Sequence, residues 1–72
     1  MKNRIDVYIN DQLQFVEIYL NGRLINSGTY HYFWALDDSH GLLNSYRVQV
    51  NKIKTDINDL ECEVITHTYK NS

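Results

Sequence analysis

Ile18-Tyr19-Leu20-Asn21-Gly22-Arg23-Leu24-Ile25 is the stretch on which the fold turns. An Asn-Gly pair between apolar segments readily takes the positive φ angles of a type I′ turn, whose twist matches that of two antiparallel strands. With a two-residue loop, Leu20 faces Arg23, Tyr19 faces Leu24 and Ile18 faces Ile25, a register that places apolar pairs on both sides of the ribbon. The strand before the turn runs from Gln14 to Leu20, with Val16, Ile18 and Leu20 on one face.

Upstream, Ile5, Val7 and Ile9 alternate with Asp6 and Tyr8, the period of a half-buried strand. Downstream, the returning strand passes Ser27-Gly28, where glycine in a strand pattern marks a bulge or bend, into Tyr30-His31-Tyr32-Phe33-Trp34. Asp37 to Gly41 reads as a loop. Tyr46, Val48 and Val50 alternate with polar residues as a fourth strand whose phase breaks near Lys52-Ile53. Asp56 to Asp59 is a turn, and Glu61 to Tyr69 forms a fifth strand through Cys62, Val64 and Thr66.

Alanine, the best helix former, occurs once, while β-branched and aromatic residues are abundant. The expectation is a mainly β chain: a single small domain over residues 1–72, built as one antiparallel sheet or a barrel-like domain of about five strands. The alternative is α+β with one helix near 11–21, because Asn10 or Asp11 would cap a helix that puts Leu13, Val16 and Leu20 on one face and ends at Gly22. The eight residues around the turn resemble hairpins of many β-sandwich and lectin-like proteins, a resemblance too general to imply an activity.

Seventy-two residues build only a thin core, which a disulfide, a metal or a partner chain usually supports. Cys62 is the sole cysteine, so no disulfide forms within the chain, and association with a partner or a second copy is expected. The free thiol and an amino terminus that turns polar at once, with no apolar signal segment, point to the cytoplasm. No apolar run is long enough to span a bilayer. Seven Lys and Arg against nine Asp and Glu give a formal charge of −2, which disfavours nucleic-acid binding. Abundant Asn, Ile, Lys and Tyr, with scarce Ala, Gly, Pro and Arg, is the codon bias of an AT-rich genome, as in low-GC bacteria and their phages and plasmids.

The aromatic run is the first candidate site. In an extended chain Tyr30, Tyr32 and Trp34 project from one face and His31 and Phe33 from the other, so the three are either core or a platform for a partner, joined by Tyr46 and Arg47 from the next strand. His31, His40, His67 and Cys62 lack the paired spacing of a zinc site, and no metal or cofactor is expected. Asp37, Asp38 and His40 suit a loop whose aspartates bond their own backbone better than acid/base chemistry. No nucleophile elbow or phosphate-cradling glycine loop is present, so no catalytic residue is assigned. Arg47, Lys52 and Lys54 form a basic stretch before the acidic Asp56, Asp59, Glu61 and Glu63, a solvated surface or a polarised patch that steers a charged partner.

These readings point to a non-enzymatic protein-binding module, encoded by a phage or plasmid and acting as a modulator or inhibitor of a host protein. The rivals are an OB-like or SH3-like domain that binds single-stranded nucleic acid through Tyr30, Tyr32 and Trp34 with Arg47, Lys52 and Lys54, and a small-ligand binder with its pocket at a dimer interface.

Overall fold

A computed structural model describes residues 2–36 and 45–69. The order of elements is β1 (Arg4–Asn10), β2 (Phe15–Leu20), β3 (Arg23–Thr29), α1 (Tyr30–Leu36), α2 (Ser45–Asp56) and β4 (Glu63–Tyr69). The strands form one open sheet in the order β3-β2-β1-β4. β2 runs antiparallel to both β1 and β3, whereas β4 lies parallel to β1. β3 and β4 therefore point the same way from opposite edges, and only a long crossover can join them. The two helices make that crossover.

The Asn21-Gly22 reversal is as expected, with φ of 52° and 83°. Leu20 pairs with Arg23 and Tyr19 with Leu24. The third expected pair does not form: a bulge shifts Ile18 onto Asn26 and leaves Ile25 as the extra residue. Asn21 also ties this turn to β1, because its N–H donates to the Arg4 carbonyl (2.8 Å) while its Oδ1 accepts from the Arg4 N–H (2.9 Å).

Ile5, Val7 and Ile9 face Leu20, Ile18 and Val16 across the β1–β2 ladder, so the alternation read from the sequence marks the core side of the sheet. Ile5, Val7, Val16 and Ile18 are all buried there, beneath Tyr30 and Phe33 of α1 and Val50 and Ile53 of α2. Cys62 closes this layer, with Tyr46 and Ile57 at its margin.

Three expectations need correction. Tyr30–Trp34 is helix, not strand: Thr29 Oγ1 accepts from the Tyr32 N–H (3.1 Å) as an N-cap, and helical spacing sends Tyr30 and Phe33 into the core together. Tyr46–Val50 is also helix, and the phase break near Lys52-Ile53 is its signature, since Tyr46, Val50, Ile53 and Ile57 follow a 3.6-residue period. Asn58 closes α2 with φ of 53°; its N–H donates to Thr55 O and that of Asp59 to Lys54 O, the paired bonds of a Schellman motif. The helix considered near 11–21 is absent, because Asp11–Gln14 is a turn and Phe15–Leu20 is β2.

The described residues thus hold four strands in a mixed sheet and two helices, in place of about five strands in an antiparallel-only sheet or barrel. Gly28 is not the bulge. It leaves room for the Tyr32 ring, onto which a Cβ at this position would fall, 2.8 Å from Cγ. The loop expected from Asp37 to Gly41 lies outside the described residues. No helix among those described is long and apolar enough to cross a membrane.

Candidate binding face

Strand alternation that sends Ile5, Val7, Val16 and Ile18 under the helices sends their neighbours to the other side. That opposite face carries Arg4, Asp6, Tyr8 and Asn10 from β1, Phe15, Glu17 and Tyr19 from β2, and Glu63, Ile65, His67 and Tyr69 from β4. The ladders fix who meets whom: Tyr8 lies between Glu17 and His67, Asp6 between Tyr19 and Ile65, and Asn10 between Phe15 and Tyr69. Both helices lie on the core side, and the core contains no residue from this face.

Asp6 anchors the face. It is the only buried charged residue among those described. His67 Nε2 sits 2.9 Å from its Oδ1, while Arg4 donates from Nε to Oδ1 and Oδ2 (3.2 and 3.1 Å) and from Nη2 to Oδ1 (3.0 Å). The hydrogen bond from His67, followed by those from Arg4, holds the Asp6 carboxyl below its ordinary range against the opposing effect of burial. The hydrogen bonds to Asp6, and then its charge, push the Arg4 guanidinium upward in turn. Asp6 and His67 thereby join β1 to β4 side chain to side chain, in addition to the backbone ladder.

Above this network the rings cluster. Tyr8 stacks on His67 with centroids 4.3 Å apart and planes 10° from parallel, and on Tyr69 at 5.9 Å and 14°. Tyr19 meets Tyr8 edge-on at 5.4 Å. Tyr19 Oη reaches Glu17 Oε2 through a long 3.5 Å bond, and burial followed by the Glu17 charge raises the Tyr19 pKa. A concavity of about 430 Å³ is lined by Asp6, Tyr8, Glu17, Tyr19, Gly22 and Tyr69. A smaller one of about 180 Å³ continues past Tyr8, Glu17 and Tyr69 to Asn10, Leu13 and Phe15. Together they make a shallow groove across the sheet, with Glu17 at the divide.

The residues singled out from the sequence lie elsewhere. Tyr30 is core, and its Oη donates to Asp11 Oδ1 (2.6 Å), while burial first and Asp11 second push its pKa up to about 12. Tyr32 and Trp34 are exposed on α1, so the three rings expected to share one face are divided between core and solvent. Tyr46 packs at the edge of the core, and Arg47 is exposed on α2. Tyr30 and Tyr46 are brought close together on the helical side, away from the groove.

Of the residue types a zinc site would use, Cys62 is buried and His67 lies on the open sheet face between Asp6 and the Tyr8 ring, and no cluster of three or more metal-ligating side chains exists among the described residues. His40 lies outside them. In the acidic stretch, Asp59 accepts from Asn3 Nδ2 (3.0 Å) and from the Glu61 N–H (3.3 Å), which makes it part of the α2–β4 connection. Asp6, Tyr8, Glu17, Tyr19 and Tyr69 were missed as a site. Their signal was present in the strand pattern, as the polar and aromatic positions that alternate with the apolar ones.

Comparison with protein-family models, with curated proteins and with solved structures gives no match.

Proposed function

We propose that this chain is a non-enzymatic protein-binding module that docks a larger protein through the open face of its sheet and modulates it by doing so. The observation that carries this reading is the aromatic groove of Tyr8, Tyr19 and Tyr69 on the side of the sheet opposite the helices. Tyrosines in a shallow groove supply large, rigid contact area at small entropic cost, and they recur among the residues that dominate binding energy at protein interfaces. Asp6, held by Arg4 and His67, keeps the floor of that groove fixed, so little ordering remains to be done when a partner arrives.

The stacked rings also suit the bases of a single-stranded nucleic acid. Glu17 lines the same concavity with no lysine or arginine beside it, while Arg4 is already matched by Asp6, so the uncompensated carboxylate repels the phosphates that such binding requires. Protein docking is the reading that accommodates both rings and charges.

The test is capture of a stoichiometric partner from lysate of a low-GC bacterium, repeated with variants that remain folded by circular dichroism. Tyr8→Ala and Tyr69→Ala should each reduce capture, whereas Trp34→Ala on α1 should not. Absence of any stoichiometric partner, or capture indifferent to the groove tyrosines, refutes the reading.

A further inference from the structure

The groove has a chemistry more specific than an aromatic surface. Its larger concavity is walled by three tyrosines and two carboxylates. The carboxylates are not equivalent. Asp6 is committed to Arg4 and His67, with bonds between 2.9 and 3.2 Å. Among the described residues, Glu17 pairs with no cation and accepts just one side-chain hydrogen bond, the 3.5 Å bond from Tyr19. It is half-buried, opposite Tyr8 across the β1–β2 ladder and two residues from Tyr19 on its own strand, where a charge is partly shielded from bulk water and interacts more strongly than at an open surface.

We propose that this concavity is a receptor for a guanidinium group, the side chain of an arginine presented by the docking partner. The proposal rests on the docking reading above and names what that partner must offer. Tyrosine rings attract a cation through their π faces, and a planar guanidinium can stack on a ring and still donate two parallel hydrogen bonds to one carboxylate. Lysine offers the charge without the plane, so it fits less well. The other cations nearby do not fill the role. Arg4 is turned onto Asp6, and Lys2 lines an adjoining depression that shares only Asp6 and Gly22 with this one and does not include Glu17.

Along the groove, Leu13 and Phe15 border the smaller concavity, and Leu13 is strongly exposed. An apolar residue beside the arginine has a place to rest there. The favoured ligand is therefore an arginine-bearing peptide segment with an apolar neighbour, and the face selects against acidic partners.

Titration of the full chain with Nα-acetyl-arginine amide, followed in two-dimensional amide spectra, tests this directly. Saturable shifts should appear at Tyr8, Glu17, Tyr19, Gly22 and Tyr69, with a dissociation constant on the order of 1 mM. Nα-acetyl-glutamine amide should produce none, and the lysine analogue should bind more weakly. Glu17→Gln, which keeps shape and removes charge, should weaken binding roughly tenfold without moving the thermal midpoint, and Tyr69→Ala should weaken it several-fold.

Shifts that are absent, that match those given by the glutamine amide, or that persist unchanged in Glu17→Gln overturn the proposal. Binding of a single-stranded oligonucleotide at these residues also overturns it. Should the arginine probe fail while the groove tyrosines still govern partner capture, docking stands and only the cation chemistry is lost. Failure of capture with binding of the probe intact isolates the opposite fault.

Discussion

Asp6 and Tyr30 are the residues at which solution conditions reach the interior. In the folded chain the Asp6 carboxyl binds its proton more weakly than the ordinary value of 3.8, so its contribution to stability is complete above that pH and is lost as pH falls through the lower folded value. Asp6→Asn should reduce this acid sensitivity and cost about 1–2 kcal/mol near neutrality, read from urea denaturation across the acid range. Tyr30 behaves in the opposite sense. Its folded pKa of about 12 lies above the ordinary 10.0, so stability is complete below pH 10 and lost as pH rises towards 12. Tyr30→Phe removes the bond to Asp11 and should lower stability at neutral pH by about 1 kcal/mol while flattening the alkaline decline, measured by thermal melts through that range.

At the scale of elements, the junctions govern. β3 passes into α1 with Gly28 under the Tyr32 ring and Thr29 capping the helix. Gly28→Ala places a methyl against the base of that ring, where neither the strand nor the helix yields easily. It should destabilise by about 1–3 kcal/mol in chemical denaturation. The β2–β3 turn is similarly specific, because Gly22 sits at φ of 83° with open space around it. Gly22→Ala therefore costs backbone strain alone, about 1 kcal/mol, in the same assay.

These elements also show what could be read in advance. β1 and β2 were legible because Ile5-Val7-Ile9 and Val16-Ile18-Leu20 each put a dry face opposite a wet one, and Asn21-Gly22 permits few conformations other than the turn it makes. The helices were not. Tyr30–Trp34 and Tyr46–Val50 are rich in aromatic and β-branched residues, and intrinsic preference favoured strand until the burial of Tyr30 with Phe33, and of Val50 with Ile53, overrode it. The groove was half-legible. Asp6, Tyr8, Glu17 and Tyr19 lie in strands whose phase was read correctly, but their meeting with His67 and Tyr69 depends on β4 lying beside β1, a long-range pairing that no local pattern encodes.

For the whole molecule, the layering sets which side is available. Helices on one face give the sheet its core, and the groove residues lie on the other. Apart from Asp6, whose ties to Arg4 and His67 also serve stability, substitutions on the two sides should therefore separate. Ile18→Ala, beneath the helices, should cost about 2–4 kcal/mol in urea denaturation and leave arginine-probe binding intact in the molecules that stay folded. Groove variants such as Tyr69→Ala should do the reverse. Exposure of Trp34 follows from the same layering. It sits on the outside of α1, so a quencher will reach it whether or not the groove is occupied, and its emission reports on the helix rather than on binding.

The parallel seating of β4 against β1 carries a consequence for the birth of the protein on the ribosome. β1 is made first and obtains its hairpin partner within a few residues, yet its other flank waits for a segment made at the opposite end of the described chain. Until that strand emerges, the nascent chain offers a bare row of amides and carbonyls to any neighbour. Pairing β4 with β1 requires the closure of a long loop, which costs more entropy than the local hairpin. It is the same step that first gathers Tyr8, His67 and Tyr69, so an incompletely synthesised copy has no groove with which to engage a partner.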